Sequence, residues 1–440
     1  MRESKSKRLR SAEGDDLVQE KEMLKAGEMF EIDKITDEVK QAPIAKHFAS
    51  WIQDNMDMDA GSIGGMGYDL GCGRYLKLPQ QDAIDAATCK ALQEKQTTYW
   101  DHCPELPVTL AAKLKEENGL DVDPATEICL TCGITPAIAT VLSAFINAGD
   151  EVISMDPDFV TTFGQIRSYK ANLVIAPSFI EHKGVLDEHR WEFDPRGLEC
   201  AITEKTKMIV YTNPNNPIGY VYSEKDLEAI ADIAKRHDLV VVENQCYERL
   251  VHDTEFYQTL RFHSLAEMKG MKERTVTIGG VSKGFHLSGY RIGWIVASAA
   301  VIRTMMFVQM WSTFATSPTI TEYGVNEALK LPLRQEYARA SLDIYRQNID
   351  CLCEALKEFP QVECARPMGG PFCFMDVTNT GYDDKTFAKM LYDRGVNTSF
   401  GAGWGKEKGI NHIRLALANP PEYHRECVAA MVQALRDLLK

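Results

Sequence analysis

KMIVYTNPNNPIGYVYSEKDLEAIADIAKRHDLVVVEN, residues 207–244, is the stretch on which the fold turns. It begins with a short apolar, β-branched run, KMIVYT (207–212), and turns sharply through NPNNPIG (213–219). It then enters SEKDLEAIADIAKRH (223–237), where Ser223 is placed to cap a helix with charged residues in its first turn. LVVVEN (239–244) follows at once. Strands this continuously apolar belong to a sheet covered on both faces, because a half-exposed strand alternates. The unit therefore reads as strand, helix, strand in a mainly parallel sheet.

The same alternation extends in both directions. TEICLT (126–131) leads through Gly133 into the apolar helical run ITPAIATVLSAFINAG. EVISM (151–155), ANLVIAP (171–177), TVTIGG (275–280) and WIVAS (294–298) have the same buried-strand character. Strands interleaved with helices predict an α/β chain with a three-layer α/β/α large domain over roughly 80–310. Helix content rises from about 311, with a long amphipathic run near 332–358. GGPFCFMDV and INHIRLALA then suggest a smaller α/β domain, built from 31–79 and 311–440. The first 30 residues, basic and then acidic with no apolar core, read as a flexible arm rather than a secretory signal.

Composition limits the partners. Lys+Arg 49 against Asp+Glu 63 gives a net charge of −14, which argues against nucleic acid or an anionic membrane as the main partner. No apolar run reaches the ~18 residues of a membrane span. The 12 cysteines are scattered, and Cys351-x-Cys353 matches neither a metal site nor a redox pair. Reduced thiols in the cytoplasm are the simplest account.

Three segments at predicted strand ends carry chemistry, where ligands of open α/β sheets bind. GGVSKGFHLSGYRIGW (279–294) holds Lys283 in a turn of small residues, with Arg291 eight residues on. Such a lysine can act as an imine-forming nucleophile, and the planar arginine fork suits a phosphate. Cys132-Gly133-Ile134-Thr135 runs into a helix N-terminus, a natural anion site. In NPNNPIG two prolines and a glycine fix a rigid turn, from which Asn216 either faces the cleft or holds its own backbone.

NPNNPIG, SKGFHLSGYRIG and HIRLALA, in this order and spacing, resemble the pyridoxal phosphate (PLP)-dependent enzymes of fold type I, the aspartate aminotransferase superfamily (class I/II). The resemblance covers approximately residues 65–435. It implies PLP as cofactor, an α-amino acid substrate and a homodimer. Lys283 matches the Schiff-base lysine that also moves the Cα proton. Ser282, Arg291 and the backbone at Gly133 and Ile134 match the phosphate clamp. Asn216 and Tyr247 match the pair on the cofactor's phenolic oxygen, and Phe159 falls where an aromatic ring stacks on the pyridine. Arg414 matches the arginine that takes the substrate α-carboxylate, beside Asn216. Tyr99 resembles the tyrosine that reaches the phosphate of the neighbouring subunit, although the glycine expected soon after it is absent from YWDHCPELP.

One position departs from the pattern. The family places an aspartate three residues before the tyrosine of VVVENQCY, and here that residue is Asn244, followed by Gln245 in place of glutamate. The aspartate's negative charge keeps the pyridine nitrogen protonated, so that the ring draws electrons from a Cα carbanion. Charge-assisted hydrogen bonds contribute about 1.5–3 kcal/mol against about 1 for neutral ones. Glu243 could replace the charge only if the strand slipped by one residue, which would reverse its faces.

Three functional expectations remain open at this level. The first is an aminotransferase that tolerates Asn244. The second is a specialised biosynthetic enzyme of the same scaffold, performing elimination, replacement, cyclisation or carbon–carbon bond formation. The cluster Tyr99, Trp100, Asp101 and His102 could then supply an extra acid, base or stacking surface. The third is a catalytically inactive binding protein, which retention of Lys283, Arg291, Asn216, Tyr247 and Arg414 disfavours. His286 reads as a packing histidine. No metal is expected.

Overall fold

The computed structural model describes residues 42, 43, 46, 68–72, 76–184, 189–314 and 317–439. The flexible arm expected over 1–30 lies outside the described residues. Seven strands form the central sheet, in the order Ile128–Thr131, Gly293–Val296, Thr275–Gly280, Val240–Asn244, Thr206–Thr212, Glu151–Met155 and Asn172–Ala176. Neighbours run parallel except around Gly293–Val296, which is antiparallel to both flanking strands.

Side chains alternate across this sheet, and the two faces feed separate cores. Met208, Val210 and Val242 pack with Ile138, Val141 and Leu142 of the helix Ile134–Phe145. Ile209, Tyr211 and Val241 pack with Leu227, Ile230 and Ala234 of the helix Glu224–Arg236. Both faces are dry, which explains why these strands read as unbroken apolar runs. The layers are helix, sheet and helix, as the sequence predicts. Ser223 caps the second helix in a reciprocal capping box with Asp226.

A second, antiparallel sheet has the order Glu363–Cys364, Phe372–Asp376, His412–Ala416 and Ser399–Phe400. Its apolar residues share a core with the helices Leu333–Leu356 and Pro421–Leu438. A separate hairpin pairs Phe179–His182 with Arg190–Phe193. The carboxyl ends of the central strands and the Arg414 strand of the second sheet contribute to one cleft.

Candidate active site

The cleft encloses about 340 Å³ and is lined, among others, by Ile134, Phe159, Asn216, Asn244, Lys283 and Arg414. Its floor begins where strand Ile128–Thr131 ends. Gly133 has a φ of +91°, and a β-carbon there would stand 2.5 Å from Arg291 Nη2. Only glycine meets both demands. The helix Ile134–Phe145 starts at Gly133 with no side-chain cap, and Ile134 and Thr135 of its first turn line the cleft, so its first N–H groups are orphan donors there. Arg291 is held beside them, donating to the Ser288 carbonyl at 2.8 Å and the Cys132 carbonyl at 3.3 Å. A helix N-terminus and a guanidinium thus converge on one point, the arrangement an anionic phosphate requires.

Lys283 lies in the turn after strand Thr275–Gly280 and lines the same cleft. Burial, and then the charges of Arg414 and Arg291, lower its pKa to about 8. The environment therefore raises the fraction of the neutral amine that nucleophilic attack needs. The turn rests on a buried ionic cluster. Arg249 lies 4.4 Å over the Phe285 ring and pairs with Glu117. Glu117 also pairs with Lys113 and, at 2.8 Å, with Arg334. A cluster of this kind holds a backbone in place because each charge is costly to expose unpaired inside the protein.

Opposite the lysine, Asn216 Nδ2 donates to the Tyr247 hydroxyl at 3.0 Å. Arg414 Nη1 donates to Asn216 Oδ1 at 3.2 Å, and its Nη2 donates to the Gly71 carbonyl at 3.0 Å. The Asn216 amide therefore faces the cleft rather than serving only its own turn. Arg414 is sandwiched between Phe372 and Trp404, at 4.0 and 4.2 Å from their ring centroids. Burial lowers its pKa to about 10, which leaves it charged at neutral pH. None of the ion pairs among the described residues includes it, and its Nε is buried with no hydrogen-bond partner.. A buried guanidinium lacking a carboxylate is a site for one. Phe159 is oriented by Asp158, which accepts from the Phe159 and Thr212 N–H groups.

The register fixes the unusual position. Asn244 pairs across the sheet with Thr212 and Ile278 and lines the cleft. Its Oδ1 accepts from the Cys246 N–H at 3.2 Å, so the amide NH2 is what it can offer a ligand. Glu243 is on the opposite face, accepting from Asn213, Gln245, Ser264 and Leu265. There is no slip that brings a carboxylate into the cleft. Gln245 bridges Glu243, Ser264 and Asn118.

The YWDHC segment sits elsewhere. Tyr99 is 60% exposed, meets Phe314 edge-on, and lines a second, open cleft with Trp100, Thr313 and Cys132. That cleft abuts Arg291, which donates to the Cys132 carbonyl. His102 is 2.8 Å from the buried Glu322, which also accepts from the Cys103 N–H. The segment is thus anchored away from Lys283 in its own chain. His286 packs against Tyr337 and Tyr345. Sequence reasoning did not find Trp404, Phe372 or Cys72, which also line the cleft. A tryptophan between glycines in GAGWGK was the available signal for the first.

The half-buried lysine, the uncapped helix with its arginine, and the Asn216–Tyr247 pair suit PLP; among the described residues, no carboxylate lines the cleft to partner its ring nitrogen. Comparison with known proteins agrees. The family described as "Aminotransferase class I and II" matches residues 67–431. The chain is 32% identical over 340 residues to aspartate aminotransferase of Pyrococcus abyssi, covering 76% of this chain and 82% of that protein. Aspartate/prephenate aminotransferase of Thermus thermophilus is 32% identical over 359 residues, covering 80% and 87%. Among solved structures, the aromatic aminotransferase from Pyrococcus horikoshii superposes with a TM-score of 0.76 at 29% identity, covering 88% of this chain and 99% of that one. The chain belongs to the class I and II aminotransferases, which are PLP-dependent transferases.

Proposed function

We propose that the protein transfers the amino group of an α-amino acid to a 2-oxo acid, with Lys283 as the lysine that carries the cofactor and moves the proton at Cα. The observation that carries this reading is the convergence of a lysine of lowered pKa, a phosphate-type clamp and an unpaired buried arginine in one cleft. PLP, when bound, supplies an aldehyde that exchanges amines and a ring that accepts electrons. Ser282, Arg291 and the N–H groups after Gly133 would hold its phosphate, and Phe159 its ring face. Asn216 and Tyr247 would hold its phenolic oxygen. Arg414 would take the substrate α-carboxylate as a bidentate partner, steered by its two aromatic neighbours. Lys283, freed by amine exchange, would then be the base within reach of Cα.

Asn244 supports a second reading within the same chemistry. Its amide NH2 can donate to an unprotonated ring nitrogen but cannot keep that nitrogen protonated. Elimination, replacement or ring-forming reactions on the same scaffold would then compete with transfer. Screening amino acids with and without 2-oxo acids, with products followed by mass spectrometry, separates the two. Stoichiometric amino transfer supports the first reading, and oxo-acid-independent products support the second.

The assembly that fits is a homodimer. Phe307, Met310, Trp311 and Phe314, with Tyr99 and Trp100, are exposed along one side of the molecule. An apolar surface of this size favours burial against a second copy. The second copy would bring its Tyr99 segment to this chain's clamp. No helix among the described residues is long and apolar enough to cross a membrane. No disulfide joins cysteines among the described residues, which supports a reducing compartment such as the cytoplasm.

A further inference from the structure

Away from the cleft, the hairpin Phe179–His182/Arg190–Phe193 meets the second sheet through an unusual group of buried polar side chains. Glu181 Oε1 is 3.0 Å from His412 Nε2 and 3.1 Å from His189 Nε2. Two imidazoles therefore address one carboxylate oxygen. Asp376 lies on the neighbouring strand, and donor atoms of Glu181, Asp376 and His412 fall within 4.8 Å of one another. His189 is 3% exposed, yet neither of its ring nitrogens makes a well-formed hydrogen bond.

The tautomer of His412 is set from behind. Its Nδ1 lies 2.8 Å from the Ile410 carbonyl, which can only accept, so Nδ1 carries a proton. The ring is also stacked on Phe374, with centroids 4.6 Å apart and planes 10° from parallel. Nε2 is thus aimed at Glu181 by a backbone carbonyl and an aromatic wall. Metal-ligating histidines are oriented in this way by a carbonyl behind them. In a neutral His412, the Nε2 lone pair would face a carboxylate oxygen. That contact becomes favourable only with an additional proton or a cation between the two.

We propose that Glu181, Asp376, His189 and His412 form a binding site for a divalent first-row cation, with Zn2+ the best match to two imidazoles and two carboxylates. Zinc bonds of about 2.1 Å at tetrahedral angles separate ligand atoms by about 3.4 Å. The Glu181–histidine spacings of 3.0 and 3.1 Å are near that of a ligand set, and the Glu181, Asp376 and His412 atoms, all within 4.8 Å of one another, need close by no more than about 1.4 Å. Lys183 is the competing cation, paired with Asp376. Its side chain is 45% exposed, so it can swing into solvent and release the aspartate. The bound ion would tie the hairpin to the strand that carries Arg414. This site does not depend on the chemistry assigned to the cleft.

Calorimetric titration of Zn2+ into chelator-treated, PLP-saturated full-length protein tests the site. The wild type is expected to bind one ion per chain that His412→Ala and Glu181→Gln bind at least 100-fold more weakly. Weak binding by the thiols is common to all three proteins and drops out of the comparison. Lys183→Ala, a change at an exposed position that preserves the fold, is expected to bind several-fold more tightly. Identical isotherms for wild type and Glu181→Gln overturn the proposal, as does a Lys183→Ala protein that binds no tighter than wild type.

Discussion

Lys283 and Asn244 face the same cleft and pull the chemistry in different directions. The lysine is prepared for attack. With a pKa lowered to about 8 from 10.5, its amine fraction rises with pH through about 8 and levels above it. Capture of PLP by the cofactor-free protein, followed by stopped-flow absorbance, should therefore quicken about tenfold per pH unit below 8 and flatten beyond. A rise that continues toward 10 would place the lysine in solvent instead. Asn244 offers an amide where a charge would stabilise the protonated ring. Asn244→Asp is expected to raise the rate at which an amino acid converts the cofactor to its amine form, by tenfold or more if it restores even one unit of pKa-equivalent interaction. An unchanged or slower conversion would mean that Asn244 is not beside the ring nitrogen.

At the scale of elements, the clamp depends on one turn. Gly133→Ala would place a residue with a side chain at a φ of +91° and drive its β-carbon into Arg291. Strain of this kind costs roughly 1–3 kcal/mol. PLP affinity by absorbance titration should fall at least tenfold, with the far-UV circular dichroism unchanged; full affinity would show that the clamp is elsewhere. The turns that carry these residues were legible in the sequence because glycine and proline mark special backbone positions. The strands were legible because both faces are dry. The second sheet was less so: Glu363–Cys364 and Ser399–Phe400 are two residues each, too short to show a period. Trp404 and Phe372 escaped notice because they reach Arg414 from separate segments, and only the fold brings them together. The ionic cluster under the Lys283 turn escaped for the same reason. Lys113 and Arg334 are far apart in sequence and look like solvated charges on amphipathic helices.

At the scale of the whole molecule, the proposed homodimer would bury the exposed aromatic side. Trp311 is 76% exposed, and Trp311→Glu is expected to shift the protein from a two-chain to a one-chain mass in analytical ultracentrifugation. A wild type that sediments as a monomer at micromolar concentration would remove the role given to Tyr99. The central claim rests on one nitrogen among all the amines of the chain. Borohydride reduction of the PLP-loaded protein, followed by peptide mapping, reads that nitrogen directly. The wild type is expected to show a visible absorbance band that reduction abolishes and a single phosphopyridoxyl label on Lys283, and Lys283→Ala neither. A wild type without the band, or with its label on another lysine, would contradict the claim.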